Sequence, residues 1–116
     1  MKYILTFFIA LTFPLMLQAE FTGPSEQQAT SAVSDVQSMK DGMQVVLEGK
    51  IEKQISKGEY LFNDGTDTIT VKIDEDVWNG LNVSEKDKVR IFGEVDRSIL
   101  SNVKIDVEQI EVISLF

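Results

Sequence analysis

From Met43 onward the chain alternates apolar and polar residues. Val45, Leu47, Gly49 and Ile51 share one parity; Val46, Glu48, Lys50 and Glu52 share the other. A period of two predicts a strand with the first set facing a core. Gly49 takes a core-facing position, where a missing side chain predicts a bulge or sharp bend. Lys57-Gly58 is a turn, and Glu59 to Asn63 is a second strand with Tyr60 and Phe62 on one face. Asp64-Gly65 is a hairpin signal. Thr66 to Ile73 is a third strand, in which Ile69, Val71 and Ile73 alternate with Thr68, Thr70 and Lys72. Asp74-Glu75-Asp76 opens a short helix, Asp76 to Leu81, carrying Trp78; acids there complement the helix dipole. Asn82 to Lys86 connects to a fourth strand, Lys88 to Asp96. Val89, Ile91, Gly93 and Val95 face inward there, Arg90, Phe92, Glu94 and Asp96 outward, and Gly93 repeats the pattern of Gly49. After a loop from Arg97 to Asn102, a fifth strand begins with Val103, Ile105 and Val107 and continues at Ile110 and Val112. The change of parity predicts a bulge near Glu108-Gln109.

Ahead of the first strand, Ala32, Val33, Val36 and Met39 recur about every third residue. That spacing predicts a short helix within Thr30 to Met39, capped by Ser31 or Thr30 and ended by Asp41-Gly42. Glu20 to Ser31 contains Gly23, Pro24 and few apolar residues and reads as a flexible arm. Before it, Lys2 precedes an almost unbroken apolar run from Tyr3 to Leu17, then Gln18 and the small Ala19. The run is shorter than the roughly 20 residues of a membrane span, and a basic start with a small-residue end predicts a cleaved secretory signal. The expected organisation is a signal peptide over 1–19, an arm over 20–31 and one domain over 32–116. Three strands, a helix and two strands give an all-β domain: a five-stranded OB-fold, a Greek-key barrel, with a short helix between strands three and four and a short N-terminal helix. Another small barrel or an open β-sandwich fits that intervening helix less well.

Chemistry is bounded by what the chain lacks. It contains no Cys and no His, which removes disulfides, thiolate metal sites, the commonest general base and the Cys–His and Ser–His nucleophiles. No Gly-x-Gly loop cradles phosphate. No cofactor and no enzymatic activity are expected; a hydrolase built on paired acids ranks last. The net charge is −8, and removal of residues 1–19, which hold Lys2 and no acid, makes it −9. Such a surface repels nucleic acid, whose affinity comes from Lys and Arg displacing phosphate counterions. Export across the inner membrane is expected, without stable membrane insertion once the signal is removed.

Candidate binding residues lie on the outward faces of the strands. Glu48, Lys50 and Glu52 on the first strand and Thr68, Thr70 and Lys72 on the third offer hydroxyls beside mixed charges, suited to a small ligand, a sugar or a polar or cationic peptide, with Phe92 on the fourth strand a further candidate; an ordinary solvated sheet face is the competing reading, since Thr is a good strand former. Phe92, Leu115, Phe116 or the N-terminal arm would serve docking on an envelope protein, the alternative function. Asp74, Glu75 and Asp76, with Asp64 and Asp67 near them in sequence, are the candidate metal ligands. They lack the alternating acids, Gly and distal Glu of an EF-hand, so a solvated loop leading the Trp78 helix is the competing reading.

The segments Phe21-Thr22-Gly23-Pro24, Val46-Leu47-Glu48-Gly49-Lys50-Ile51, Tyr60-Leu61-Phe62-Asn63-Asp64, Ile69-Thr70-Val71-Lys72-Ile73-Asp74, Trp78-Asn79-Gly80, Val89 to Asp96 and Ile105-Asp106-Val107 occur in this order. In order and spacing they resemble the bacterial OB-fold (BOF) family, the YgiW/YdeI-like periplasmic stress-tolerance proteins. The resemblance covers nearly all of the chain after residue 19. It implies an OB-fold, a periplasmic location and a role in tolerance of peroxide, cadmium, acid or cationic antimicrobial peptides. It implies binding of small ligands or envelope components, cell-wall sugars among them, rather than catalysis, and it carries over no site residues.

Overall fold

The computed structural model describes residues 29–98 and 102–114. The signal segment, most of the arm, and Leu115 and Phe116 lie outside the described residues. The elements are α1 (Val33–Val36), β1 (Gln44–Ser56), β2 (Glu59–Asn63), β3 (Thr68–Lys72), α2 (Glu75–Trp78), β4 (Lys88–Asp96) and β5 (Lys104–Ser114). The strands close into a barrel in the order β1-β2-β3-β5-β4. All neighbours are antiparallel except β3 and β5, which run parallel. This is the five-stranded OB-fold architecture expected from the element order. No helix among the described residues is long and apolar enough to cross a membrane.

The inward parity of each strand fills the barrel. Leu47, Phe62, Val71, Val89, Ile91 and Ile105 are fully buried in one cluster. β5 holds the predicted bulge: Phe92 pairs with Gln109 and Gly93 with Val107, so Glu108 is the extra residue. Slipping one residue there returns Ile110 to the core beside Val107. β1 carries two further irregularities that alternation did not reveal, at Glu52 and Ile55.

Gly49 is the pivot of the barrel. Up to Gly49↔Val89, β1 pairs with β4; from Lys50↔Asn63 it pairs with β2. One strand thereby serves both halves of the barrel. At the crossing the backbones touch: a Cβ on Gly49 would lie 2.4 Å from the Asn63 carbonyl oxygen and 2.8 Å from Asp64 Cα. Gly93, beside the β5 bulge, is similarly closed in by the Asp106 carbonyl.

Four expectations need correction. Val46 was placed on the outer face and is only 3% exposed. Ser31, assigned to the arm, donates its backbone N–H to the Val46 carbonyl at 2.8 Å, so the entering chain runs alongside β1. The N-terminal helix spans only four residues and is not capped by Ser31 or Thr30; its N-cap position is Ala32, which makes no side-chain cap bond. The cap comes from the β2–β3 loop instead. Asp64 Oδ2 accepts the Val33 N–H at 2.8 Å, and Thr66 Oγ1 accepts the Ser34 N–H at 3.2 Å. At the other end, the Arg97 guanidinium donates to the carbonyls of Val36, Gln37 and Met39. A single turn is unstable alone; here both ends are tied to distant loops. α1 buries Val33 and Val36 completely in the core. β3 runs from the loop that holds α1 to α2, so the two helices sit at opposite ends of the barrel. α2 is one turn too, shorter than predicted, because Asn79 (φ 46°) and Gly80 (φ 79°) turn left-handed behind it.

Partial burial alone would raise the Asp64 pKa. Its bonds from the Thr66 hydroxyl and from the N–H groups of Val33, Thr66 and Asp67 outweigh burial and hold the carboxyl below its ordinary 3.8. A value lower in the folded than in the unfolded chain stabilises fully above about 3.9, and that stabilisation is lost as pH falls through the lowered value. Asp64→Asn should therefore cost roughly 1–2 kcal/mol in urea unfolding at pH 7, the size of a lost helix cap, with the gap to the parent protein closing in acid below the ordinary carboxyl range. A gap unchanged between neutral and strongly acidic pH would contradict this role. Gly49→Ala should cost about 1–3 kcal/mol, the usual penalty of an inserted methyl without room, read from the same unfolding curves. An unshifted midpoint would show that the backbone crossing is not tight.

Candidate functional site

The split in β1 leaves a cleft. Where β1 parts from β4 to follow β2, a space of about 730 Å³ opens in the side of the barrel. Glu48, Gly49, Lys50 and Glu52 form its floor along β1, and Asn63, Asp64 and Gly65 form one wall. Glu85 and Lys88, ahead of and at the start of β4, form the other.

Local structure fixes each wall. Asn63 Oδ1 accepts the Gly65 N–H at 2.7 Å, closing the turn, while its Nδ2 donates to Glu52 Oε2 at 2.8 Å. One side chain thus shapes the loop and orients the Glu52 carboxylate. Across the cleft, Asp87 is 8% exposed. Its Oδ2 accepts the Ser84 N–H at 2.8 Å, and its own N–H donates to the Ser84 carbonyl. That turn sets Glu85 and Lys88 on the rim.

Two of the lining acids are already engaged. Arg90 bridges Glu48 and Glu111, each at 2.8 Å, along the in-register row Glu48↔Arg90↔Glu111. Hydrogen bonds from Arg90 to Glu111 and Glu48 raise the guanidinium pKa above its ordinary value. Asp64 is held by backbone amides. Glu52, Glu85, Lys50 and Lys88 make no ion pair among the described residues, so the cleft presents both signs of charge.

Of the candidates read from sequence, Glu48, Lys50 and Glu52 on β1 line this cleft, as does Asp64, which was read as a metal ligand. Thr68, Thr70 and Lys72 share the adjoining outer face, in the rows Lys50↔Asn63↔Thr68, Leu61↔Thr70↔Lys104 and Glu59↔Lys72↔Asp106. On that face Lys104 Nζ pairs with Glu59 Oε2 at 2.8 Å, and this hydrogen bond from Lys104 is the main cause holding the Glu59 carboxyl below its ordinary range. Phe92 is elsewhere, half-buried on the outside of β4 between Val46 and Gln109. Asp74, Glu75 and Asp76 are exposed at the start of α2, where the Asp74 carbonyl, not its carboxylate, accepts the N–H groups of Val77 and Trp78. Among the described residues no three ligand-type side chains converge as a metal site requires; Asp64 and Asp67 serve the β2–β3 turn. Asn63, Glu85 and Lys88 were not singled out from sequence. The Asn-Asp-Gly run at 63–65 was the available signal, since Asn and Asp side chains fold back on turn backbones.

At the foot of the cleft lies a smaller depression of about 210 Å³, lined by Tyr60, Trp78 and Val83 and sharing Glu52 and Glu85 with the cleft. Tyr60 and Trp78 meet edge to face, with ring centroids 5.5 Å apart at 79°.

Comparison with known proteins agrees with this architecture. The family model described as bacterial OB fold (BOF) protein matches residues 12–112. The solved structure of YgiW from Escherichia coli superposes with a TM-score of 0.72 at 42% identity, covering 83% of this chain and all of that one. An uncharacterized protein of Haemophilus influenzae is 36% identical over 90% of this chain and 95% of its own length. The calcium-regulated OB-fold protein CarO of Pseudomonas aeruginosa is 36% identical over 90% of each chain. A binding-type fold and near full-length matches place it plainly: the chain belongs to the bacterial OB-fold (BOF) family.

Proposed function

We propose that this protein is a periplasmic, non-enzymatic binding module that supports envelope stress tolerance by holding a small ligand or cell-wall component in the cleft opened by β1. The cleft carries the reading. It is an open space of about 730 Å³ in which Lys50, Lys88 and Glu85 make no ion pair among the described residues and Glu52 is held by the Asn63 amide alone. That is the form of a small-ligand site, concave and mostly pre-formed. The chain has neither His nor Cys to turn such a site toward nucleophilic catalysis. The signal-like residues 1–19 support the location. The −8 charge supports a partner other than a nucleic acid.

The stress-tolerance role predicts that cells deleted for the gene survive peroxide, acid, cadmium or cationic peptide less well than their parent. Equal survival under all four contradicts it. Binding predicts that protein purified from the periplasm melts higher in the presence of a cell-wall digest or a divalent cation. Calcium belongs in that set because the Pseudomonas relative is named for its regulation by calcium. A ligand at a hundredfold excess over its Kd stabilises by about 2.7 kcal/mol, a shift of many degrees in a domain of this size. The same preparation should begin at Glu20 on N-terminal sequencing; an intact Met1 would overturn the secreted, soluble reading.

A further inference from the structure

The cleft and the aromatic depression form one groove, because Glu52 and Glu85 line both. Its chemistry changes in order along its length. Lys50 and Lys88 stand at one end, beside Glu48 and Asp64, which Arg90 and backbone amides already engage; Glu52 and Glu85 are in the middle, and the Tyr60–Trp78 pair is at the other end, where Lys53 also lines the depression. We propose that this groove binds a short zwitterionic peptide, with a free carboxylate on Lys50 and Lys88, a cationic group against Glu52 and Glu85, and an apolar side chain on Tyr60 and Trp78. The proposal rests on the reading that the cleft is a ligand site, and it names the ligand class.

Size and charge agree with that class. The depression, at about 210 Å³, suits one apolar side chain and little more. Tyr60 pairs with Gln54 on β1, so the two ends of the groove are separated by the four β1 residues that follow Lys50. Glu52 is bulged, and the unbulged β2 spans the same stretch in three residues, Asn63 to Tyr60. At about 3.4 Å per strand residue that is roughly 10 Å, and an extended tripeptide reaches about 10 Å along its backbone. Glu52 is already held by Asn63 at 2.8 Å, so its carboxylate is oriented before any ligand arrives. Lys50 and Lys88 flank the fork where β1 leaves β4, next to the pair Gly49↔Val89, and their ammonium groups have no ion-pair partner among the described residues. A purely cationic ligand would leave these two lysines facing like charge. A neutral sugar would leave all four charges unmatched. A peptide with a free C-terminus matches each group in turn.

Trp78 is the single Trp of the chain, so its fluorescence reports directly on the apolar end. The probe is acetyl-Phe-Lys-Ala with a free C-terminal carboxylate, titrated into the periplasmically purified protein. A saturable change in Trp78 fluorescence is expected. Amidating the C-terminus of the probe, or exchanging its Phe for Ala, should weaken binding about tenfold or more, the worth of one charge-assisted bond or one buried ring. Lys50→Ala and Lys88→Ala should weaken the free acid and leave the amidated, purely cationic peptide bound no less tightly, while Thr68→Ala, on the neighbouring face, should change neither; melting curves check that the variants fold. Equal affinity for acid and amide, or no response of Trp78, overturns the proposal. If a cell-wall digest still raises the melting temperature of the parent but not of Lys50→Ala while the tripeptide does not bind, the cleft is a ligand site and the peptide assignment is wrong. If neither raises it, both readings fall.

Discussion

The shape of this barrel follows from a backbone contact that tolerates no side chain. At Gly49, β1 passes so close to Asn63 and Asp64 that even a methyl group would overlap the Asn63 carbonyl. The contact lets one strand pair with β4 on one side of the bend and β2 on the other. The divergence of β2 and β4 beyond it is the cleft. The same contact fixes the β2–β3 loop, whose Asn63 orients Glu52 and whose Asp64 holds α1. Strand crossing, cleft and N-terminal helix are therefore one mechanical unit.

The ends of the barrel are closed by helices that could not exist alone. α1 and α2 have four residues each, far below the length at which a helix is stable in water. α1 survives because loops from both sides supply its missing hydrogen-bond partners and because Val33 and Val36 are buried. α2 is held by Trp78 against Tyr60. This economy places an aromatic pair at the foot of the cleft. The strength of the scaffold lies in its apolar interior; the charged row Glu48–Arg90–Glu111 on the outside orders side chains more than it stabilises.

Much of the fold was legible because period-two alternation is a direct consequence of strand geometry. The bounds of β2 and β4, the five-strand order and the β5 bulge all followed from parity, and the core-facing glycines marked the close crossings. What failed was what depends on distant residues. Val46 has the parity of an exposed residue and is buried because a segment outside the sheet runs beside it. The cap of α1 lies 31 residues away in sequence, so no local rule could find it. The cleft suffered the same limit. Lys50 was identified as an outward lysine, but Glu85 and Lys88 reach it only through barrel closure, and Thr70, Lys72 and Phe92 are equally outward while lying elsewhere.

The central claim is that the fork at Gly49 is where this barrel meets its ligand. The most direct measurement is a map of backbone amide chemical shifts for the protein on addition of a soluble cell-wall digest. The account predicts perturbations concentrated at residues 48–52, 63–65 and 85–88, with Trp78 included. Perturbations confined to Thr68, Thr70 and Lys72, or centred on Phe92, would contradict it.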